Sequence, residues 1–278
     1  MTALYAVAGN PVEHSQSPFI HQQFAQQTGQ ALRYERLLCP LDRFAATIRQ
    51  FAQDGARGCN VTVPFKFEAY ALAQSHTARA RLAGAANTLR FDDGDWLADN
   101  TDGAGLVRDI QNNAEVVLAG QRVLVIGAGG AAAGALGALI AERPQELVLA
   151  NRSLDKAQAL ADQHQTFAKE HGVELQAHAL NHCGDHFDVV INASSSSLQG
   201  GGIPVATSVL RPGALALDMM YGPAAQGFLQ WAQQHGAQGR DGLGMLVEQA
   251  AEAFFLWRGV RPDTAPVLSS LRAKLNQP

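Results

Sequence analysis

Arg122-Val-Leu-Val-Ile-Gly-Ala-Gly-Gly-Ala-Ala-Ala-Gly-Ala-Leu-Gly-Ala-Leu-Ile-Ala141 is the stretch that decides the architecture. It opens with an apolar, β-branched run from Arg122 to Ile126, which predicts a buried strand. Gly127-Ala128-Gly129-Gly130-Ala131-Ala132 follows and fits Gly-x-Gly-x-x-Ala, and a helix is expected over Ala131–Glu142. Such a turn needs glycine's freedom, and its missing side chains let phosphates reach amide donors at the helix N-terminus. Ala132 is small enough for close packing of helix on strand. Val123 to Ala141 carries no charge and is long enough to span a bilayer. Its β-branched start and its crowd of glycine and alanine suit strand, turn and packed helix instead.

The next strand, Glu146–Ala150, selects the dinucleotide. An NAD site places Asp or Glu near the end of this strand to accept bonds from the adenosine ribose. Here the chain reads Asn151-Arg152-Ser153, then Lys156. An acidic group is absent, and a planar guanidinium suits a ribose phosphate dianion, so the expected cofactor is NADP. Leu154–Gln165 reads as a helix, Asp188–Asn192 and Ala214–Met219 as strands. Ala193, Ser194 and Ser195 follow the strand ending at Asn192 and are placed along the cofactor site; no nucleophile elbow surrounds the serines.

The first hundred residues alternate in the same way. Residues 4–9 read as a strand. Ser17-Pro18 reads as a helix start, serine as cap and proline at the first helical position, with a stop at Gly29. Arg33–Leu38 reads as a strand, and Leu41–Ala52 as an amphipathic helix through Leu41, Phe44, Ala45, Ile48 and Phe51. A strand at Gly58–Val63, a helix to about Ser75 and a strand at Asn87–Phe91 complete a mainly parallel α/β sheet with helices on both sides. Within Asn60-Val-Thr-Val-Pro-Phe-Lys66, Asn60 and Thr62 share one face while Val61 and Val63 point into the core. Pro64 stops the ladder, which puts Lys66 on the rim of a cleft. Asn100-Thr-Asp102-Gly103 is a turn able to bring a carboxylate to that amine, forming a proton-transfer pair. A second unit begins after Asp102 with a helix at Gly105–Asn112, and late helices are expected at Leu246–Trp257 and Pro266–Leu275.

The 278 residues suggest two domains, and 47% hydrophobic with 17% charged residues describes a soluble globular chain. A net charge of −4 gives no reason to expect nucleic acid or an anionic membrane as partner. Cys39, Cys59 and Cys183 are odd in number and widely spaced, which reads as reduced thiols in a cytoplasmic protein. The start carries no basic segment or cleavage site of a signal peptide. His178, His182 and His186 recur every four residues beside Cys183 and Asp185. Gly184 interrupts any helix there, so they read as solvated loop histidines and no metal is expected.

Several segments, in order and spacing, resemble those of the shikimate dehydrogenase family over nearly the whole chain. They are Gly9-Asn-Pro-Val-Glu-His-Ser15-Gln-Ser17-Pro18, Asn60–Lys66, Gly84-Ala-Ala-Asn87-Thr88, Asp99-Asn-Thr-Asp102-Gly103, Gly127–Gly130, Asn151–Ser153, Ile191–Ser195, Asp218-Met-Met-Tyr221 and Asp241–Gln249. The resemblance implies a substrate domain of residues 1–103 with 243–278, the C-terminal helices returning to it, and a Rossmann-type NADP domain of residues 104–242. It implies Lys66 and Asp102 as the catalytic pair and Ser15 and Ser17 as the substrate carboxylate site. Asn60, Thr62, Asn87 and Asp102 match hydroxyl-binding positions, and Tyr221 and Gln249 match further substrate contacts. Met219, Gly242 and Met245 would wall the nicotinamide. The implied reaction is the reversible NADPH-dependent reduction of 3-dehydroshikimate to shikimate by a monomer or homodimer; the nearest alternative is a relative preferring quinate or NAD, and Arg152 argues against the NAD version. A non-catalytic metabolite sensor has no need to keep Lys66, Asp102 and the phosphate turn together. Ala78 and Pro223-Ala-Ala-Gln-Gly227 depart from the family pattern.

Overall fold

The computed structural model describes residues 2–92, 94–194 and 203–275. The chain forms two compact units, Met1–Gly105 with Leu246–Pro278, and Leu106–Met245.

The first unit contains β1 (Ala3–Gly9), α1 (Ser17–Thr28), β2 (Leu32–Leu38), α2 (Phe44–Gln53), β3 (Ala56–Val61), α3 (Lys66–Leu72), β4 (Ser75–His76), α4 (Ala78–Ala83), β5 (Thr88–Asp92) and β6 (Asp95–Asp99). Its sheet runs β2-β1-β3-β5-β6-β4. β1 is parallel to β2 and β3, and β4 to β6, whereas β5 is antiparallel to both neighbours. The sheet is thus mainly parallel with an antiparallel hairpin let in. Phe44, Ile48, Phe51, Phe65 and Leu89 fill the core on one side.

Three local expectations are corrected. Leu41 lies before α2 and is 67% exposed, because Pro40 opens a turn closed by the Arg43 amide at 3.0 Å and the helix starts only at Phe44. β3 stops at Val61, so Val63 has lost the strand's alternation and is 58% exposed rather than core. Ser17 does not cap α1: the capping position is Gln16, and the Ser17 amide donates to Ser15 Oγ at 3.3 Å. Gly29 does end the helix, in the left-handed region at φ 65°.

α5 (Asp102–Arg108) leads into the second unit, which holds β7 (Arg122–Ile126), α6 (Gly130–Ala141), β8 (Glu146–Asn151), α7 (Leu154–His171), β9 (Glu174–Ala179), β10 (Phe187–Asn192), β11 (Leu210–Asp218), α8 (Gln226–Gln234) and β12 (Gln238–Arg240). α9 (Leu243–Arg258) and α10 (Ala265–Leu275) carry the chain back into the first unit. The sheet order is β12-β11-β10-β7-β8-β9 with every pair parallel. Val123 and Val125 point to one core and Leu124 and Ile126 to the other, as period-two alternation in a doubly covered sheet requires. The order reverses between β7 and β10, the place where such sheets bind ligands beyond their carboxyl ends.

Here too the structure departs from the sequence pattern. α7 continues six residues past Gln165, and β9, α8 and β12 carry no sequence signal that foretells them. The helix expected to Asn112 ends at Arg108 and widens into a π-turn over Asp109–Asn113. Its cause is chemical: Asp109 is fully buried and forks onto Arg240 at 2.8 and 2.5 Å. His178 belongs to β9 and bonds Gln176 Oε1 at 2.8 Å, so it is not a loop histidine.

Candidate active site

Lys66 begins α3, immediately after the cis Val63–Pro64 bond, and Asp102 begins α5. The two meet in a direct hydrogen-bonded ion pair between Nζ and Oδ2, with side chains only 14% and 7% exposed. The other carboxylate oxygen of Asp102 accepts from Asn87 Nδ2 at 2.8 Å, and its amide donates to Asn100 Oδ1 at 3.2 Å. Both oxygens are thereby aimed.

A network of neutral groups surrounds this pair. Asn87 Oδ1 accepts from the Thr101 amide at 2.9 Å, which fixes its amide so that Nδ2 faces Asp102 and Gln249 Oε1, the latter at 3.1 Å. Gln249 is oriented in turn by its own Nε2, which donates to the Leu246 carbonyl at 3.0 Å. Asn60 Nδ2 donates to Thr88 Oγ1 at 3.0 Å and to the Asn87 carbonyl at 3.3 Å, while Tyr34 donates to Asn60 Oδ1 at 2.7 Å. Asn60, Asn87 and Gln249 are all buried, so each of these bonds satisfies a group that would otherwise be costly.

Around the turn that bears Asp102 runs a charged frame that the sequence did not announce. Asp99 is buried and accepts from Arg79 at 2.7 and 2.5 Å and from Thr77 Oγ1 at 2.6 Å; it also receives the Asn100 amide at 2.8 Å. Arg79 reaches Glu252 of α9 at 3.3 Å, and Glu252 also holds Arg261 at 2.5 Å. This frame fixes the residues just before Asp102. Asp99 stands within a family motif that gives it no role, and Arg79 offers only its 20-residue separation from Asp99.

Ser15 and Ser17 lie at the start of α1, their hydroxyls 3.1 Å apart, Ser15 donating. Arg36 clamps the Ser15 carbonyl at 2.7 Å, which holds the loop against the helix start. Thr62 follows β3; a side chain on Gly9 would collide with its methyl group, so glycine there admits it. Tyr221 lies in the other unit, at the start of the short 3-10 turn Gly222–Ala225 that precedes α8.

That unit places the glycine turn at the carboxyl end of β7. The Gly127 amide donates to the Ala150 carbonyl at 2.7 Å, and the Ala193 amide to the Ile126 carbonyl at 2.8 Å. Gly127 has φ 113°, and a Cβ there would lie 3.0 Å from the backbone of Ala193 and Ser194. Gly129 differs: its φ is −95°, and an added Cβ would meet nothing within 4 Å. The fold does not require glycine at 129, whereas an incoming phosphate would. Gly130 and Ala131 open α6, a 12-residue helix with its amides directed at that space. With Ala128 between the glycines, this cradle fits a dinucleotide.

At the end of β8, Asn151 Nδ2 donates to the Ser153 carbonyl at 2.9 Å, and Ser153 takes the capping position of α7 without capping it through its side chain. Arg152 and Lys156 are exposed and have no hydrogen-bond or ion-pair partner among the described residues. Two uncommitted cations there fit a 2′-phosphate. Ser194 is held by Asn192 Oδ1 through its amide at 3.1 Å and its hydroxyl at 2.7 Å. Ser195 lies outside the described residues. Met219 donates its amide to the Asn192 carbonyl at 3.0 Å, and Gly242 its amide to the Met220 carbonyl at 2.8 Å. A side chain at Gly242 would collide with the Met219 backbone. Met245 is buried in the core of this unit. Among the described residues no three His, Cys, Asp or Glu side chains group as a metal site, and no helix is long and apolar enough to cross a membrane.

Comparison with known proteins agrees with this geometry. Three family profiles match in succession: "Shikimate dehydrogenase substrate binding domain" over residues 7–89, "Shikimate / quinate 5-dehydrogenase" over 109–199, and "Shikimate 5'-dehydrogenase C-terminal domain" over 242–272. A relative from Methylibium petroleiphilum, named shikimate dehydrogenase (NADP(+)), is 65% identical over 97% of this chain and 94% of its own. Among solved structures, an Ael1 enzyme from Pseudomonas putida is 45% identical with a TM-score of 0.88, over 97% of this chain and 98% of its own. Shikimate 5-dehydrogenase from Thermus thermophilus, solved with NADP(H) and shikimate, is 27% identical with a TM-score of 0.83, over 98% and 99%. The chain belongs to the shikimate dehydrogenase family.

Proposed function

We propose that this chain is an NADP-dependent oxidoreductase that interconverts 3-dehydroshikimate and shikimate in aromatic amino-acid biosynthesis. The observation that carries the proposal is the buried Lys66–Asp102 pair, both of whose carboxylate oxygens are engaged. Bound NADPH supplies the hydride. Reduction of a ketone places negative charge on its oxygen, and the Lys66 ammonium neutralises that charge by giving up a proton. Asp102 aims the ammonium, and on oxidation of the alcohol it stabilises the ammonium that forms when neutral Lys66 takes the hydroxyl proton. Ser15 and Ser17, beside the α1 N-terminus, bind the substrate carboxylate. Asn87, Thr62, Gln249 and Asp102 read the ring hydroxyls, Asn60 stands behind them, and Tyr221 adds a further contact. A substrate lacking a hydroxyl would leave buried amides unpaired, which makes discrimination against it large.

The dinucleotide lies on Gly127–Ala131 with its 2′-phosphate on Arg152 and Lys156, flanked by Asn151, Ser153, Ala193 and Ser194. Met219, Gly242 and Met245 wall the nicotinamide. Three unpaired, buried cysteines fit the reducing cytoplasm.

Lys66→Met is expected to lower kcat at least about 100-fold with little change in substrate Kd. The assay follows formation of reduced nicotinamide from shikimate or quinate with NADP or NAD. An unchanged kcat removes Lys66 from the chemistry, and equal kcat/KM for the two nicotinamides removes Arg152 from cofactor choice.

A further inference from the structure

We propose that Tyr34 and Thr88 are positioning residues that set the Lys66–Asp102 pair through a directional relay of hydrogen bonds. The inference rests on the proposed function, since it assigns a purpose to residues behind that catalytic pair. Tyr34 lies on β2, remote in sequence from the pair, and its hydroxyl donates to Asn60 Oδ1 at 2.7 Å.

The direction of every step follows from which groups can donate. Asn60 Nδ2 faces the Asn87 carbonyl, which only accepts, so Oδ1 must face Tyr34 and the phenol must donate. The same Nδ2 donates to Thr88 Oγ1, which leaves the Thr88 proton free to go to Asn87 Oδ1 at 2.9 Å. With its oxygen filled by Thr88 and by the Thr101 amide, Asn87 has only donors to offer Asp102 Oδ1, at 2.8 Å. Asp102 Oδ2 is then turned to Lys66. Reversing any one amide would put two acceptors face to face.

Tyr34 is itself held in place. The fully buried His21 ring stacks on it at 4.2 Å with an interplanar angle of 6°. Thr88 is fully buried. Both Nδ2 hydrogens of Asn60 are spent inside the unit, so its influence on the reaction passes through Asn87.

The test uses Tyr34→Phe and Thr88→Val, each of which removes one hydroxyl and little volume. Each is expected to lower kcat about 3- to 10-fold, the worth of one lost buried hydrogen bond. In Thr88→Val, KM for shikimate should stay within about twofold, because Ser15, Ser17 and Thr62 make no bond to Thr88, and KM for NADP should not move in either variant. The losses should be less than multiplicative in the double variant, since Tyr34 and Thr88 both act through Asn87. A wild-type kcat in Tyr34→Phe, or fold-losses that multiply in the double variant, would overturn the relay while leaving the proposed function intact. An inactive parent protein would overturn the proposed function itself.

Discussion

Gly129→Ala separates the two reasons a phosphate turn keeps its glycines. At φ −95° and ψ −170° alanine adopts the backbone without strain, and its methyl group would meet nothing within 4 Å. Alanine is a poorer helix cap than glycine, but it also narrows the unfolded ensemble by about 0.4–1 kcal/mol. The two effects nearly cancel, so folding stability should change by less than about 1 kcal/mol, a shift of only a few degrees in melting temperature. Binding should respond differently, because the methyl group takes the space through which phosphate oxygens approach the α6 amides. A hydrogen bond to a charged group is worth about 1.5–3 kcal/mol, so KM for NADPH should rise roughly 10- to 100-fold. Gly127→Ala is the control with the opposite signature. It forces a side chain onto φ 113° and against Ala193 and Ser194, and should cost stability of order 1–3 kcal/mol. Thermal melts and steady-state kinetics on the two variants measure both quantities. A Gly129→Ala enzyme with parental KM for NADPH would refute the placement of the phosphates on this turn.

Two further outcomes concern buried charge. Burial lowers the His21 pKa to about 3, opposed by the neighbouring Asn60 side chain. The unfolded chain protonates this group near pH 6.5 and the folded chain does not, so its contribution is complete above pH 6.5 and is lost as pH falls toward 3. Between about pH 7.5 and pH 5 that loss is about 2 kcal/mol. His21→Phe should flatten the pH dependence of the urea midpoint by that amount, and an unchanged slope refutes it. Asp109→Ala strands Arg240 beside a buried void and should cost about 3–5 kcal/mol in urea unfolding. A loss below about 1 kcal/mol would show that the pair does not hold the π-turn.

Legibility followed the strength of local signals. β7, the glycine turn and β8 are readable nearly to the residue because apolar runs and glycines have few alternative readings. β9, β12 and β6 escape because polar or short strands carry no clear period, and Glu174–Ala179 is only half covered. Pattern alone assigns Leu41 and Val63 to the core; Pro40 and the early end of β3 take them out of register. Lys66 and Asp102 can be paired from their motifs, but the groups that orient them cannot. Tyr34 reaches Asn60 across 26 positions of sequence and Arg79 reaches Glu252 across 173, and spacing says nothing about such partners.

The first unit is written in two instalments. Residues 106–245 are translated as an unbroken block and can fold as they leave the ribosome, whereas Asn87 waits 162 positions for Gln249, and Arg79 waits 173 for Glu252. Until α9 emerges, the turn bearing Asp102 lacks its outer brace and Tyr5 its stacking partner Trp257. Synthesis therefore completes residues 106–245 first and withholds an ordered setting for the Lys66–Asp102 pair until the final helices are delivered.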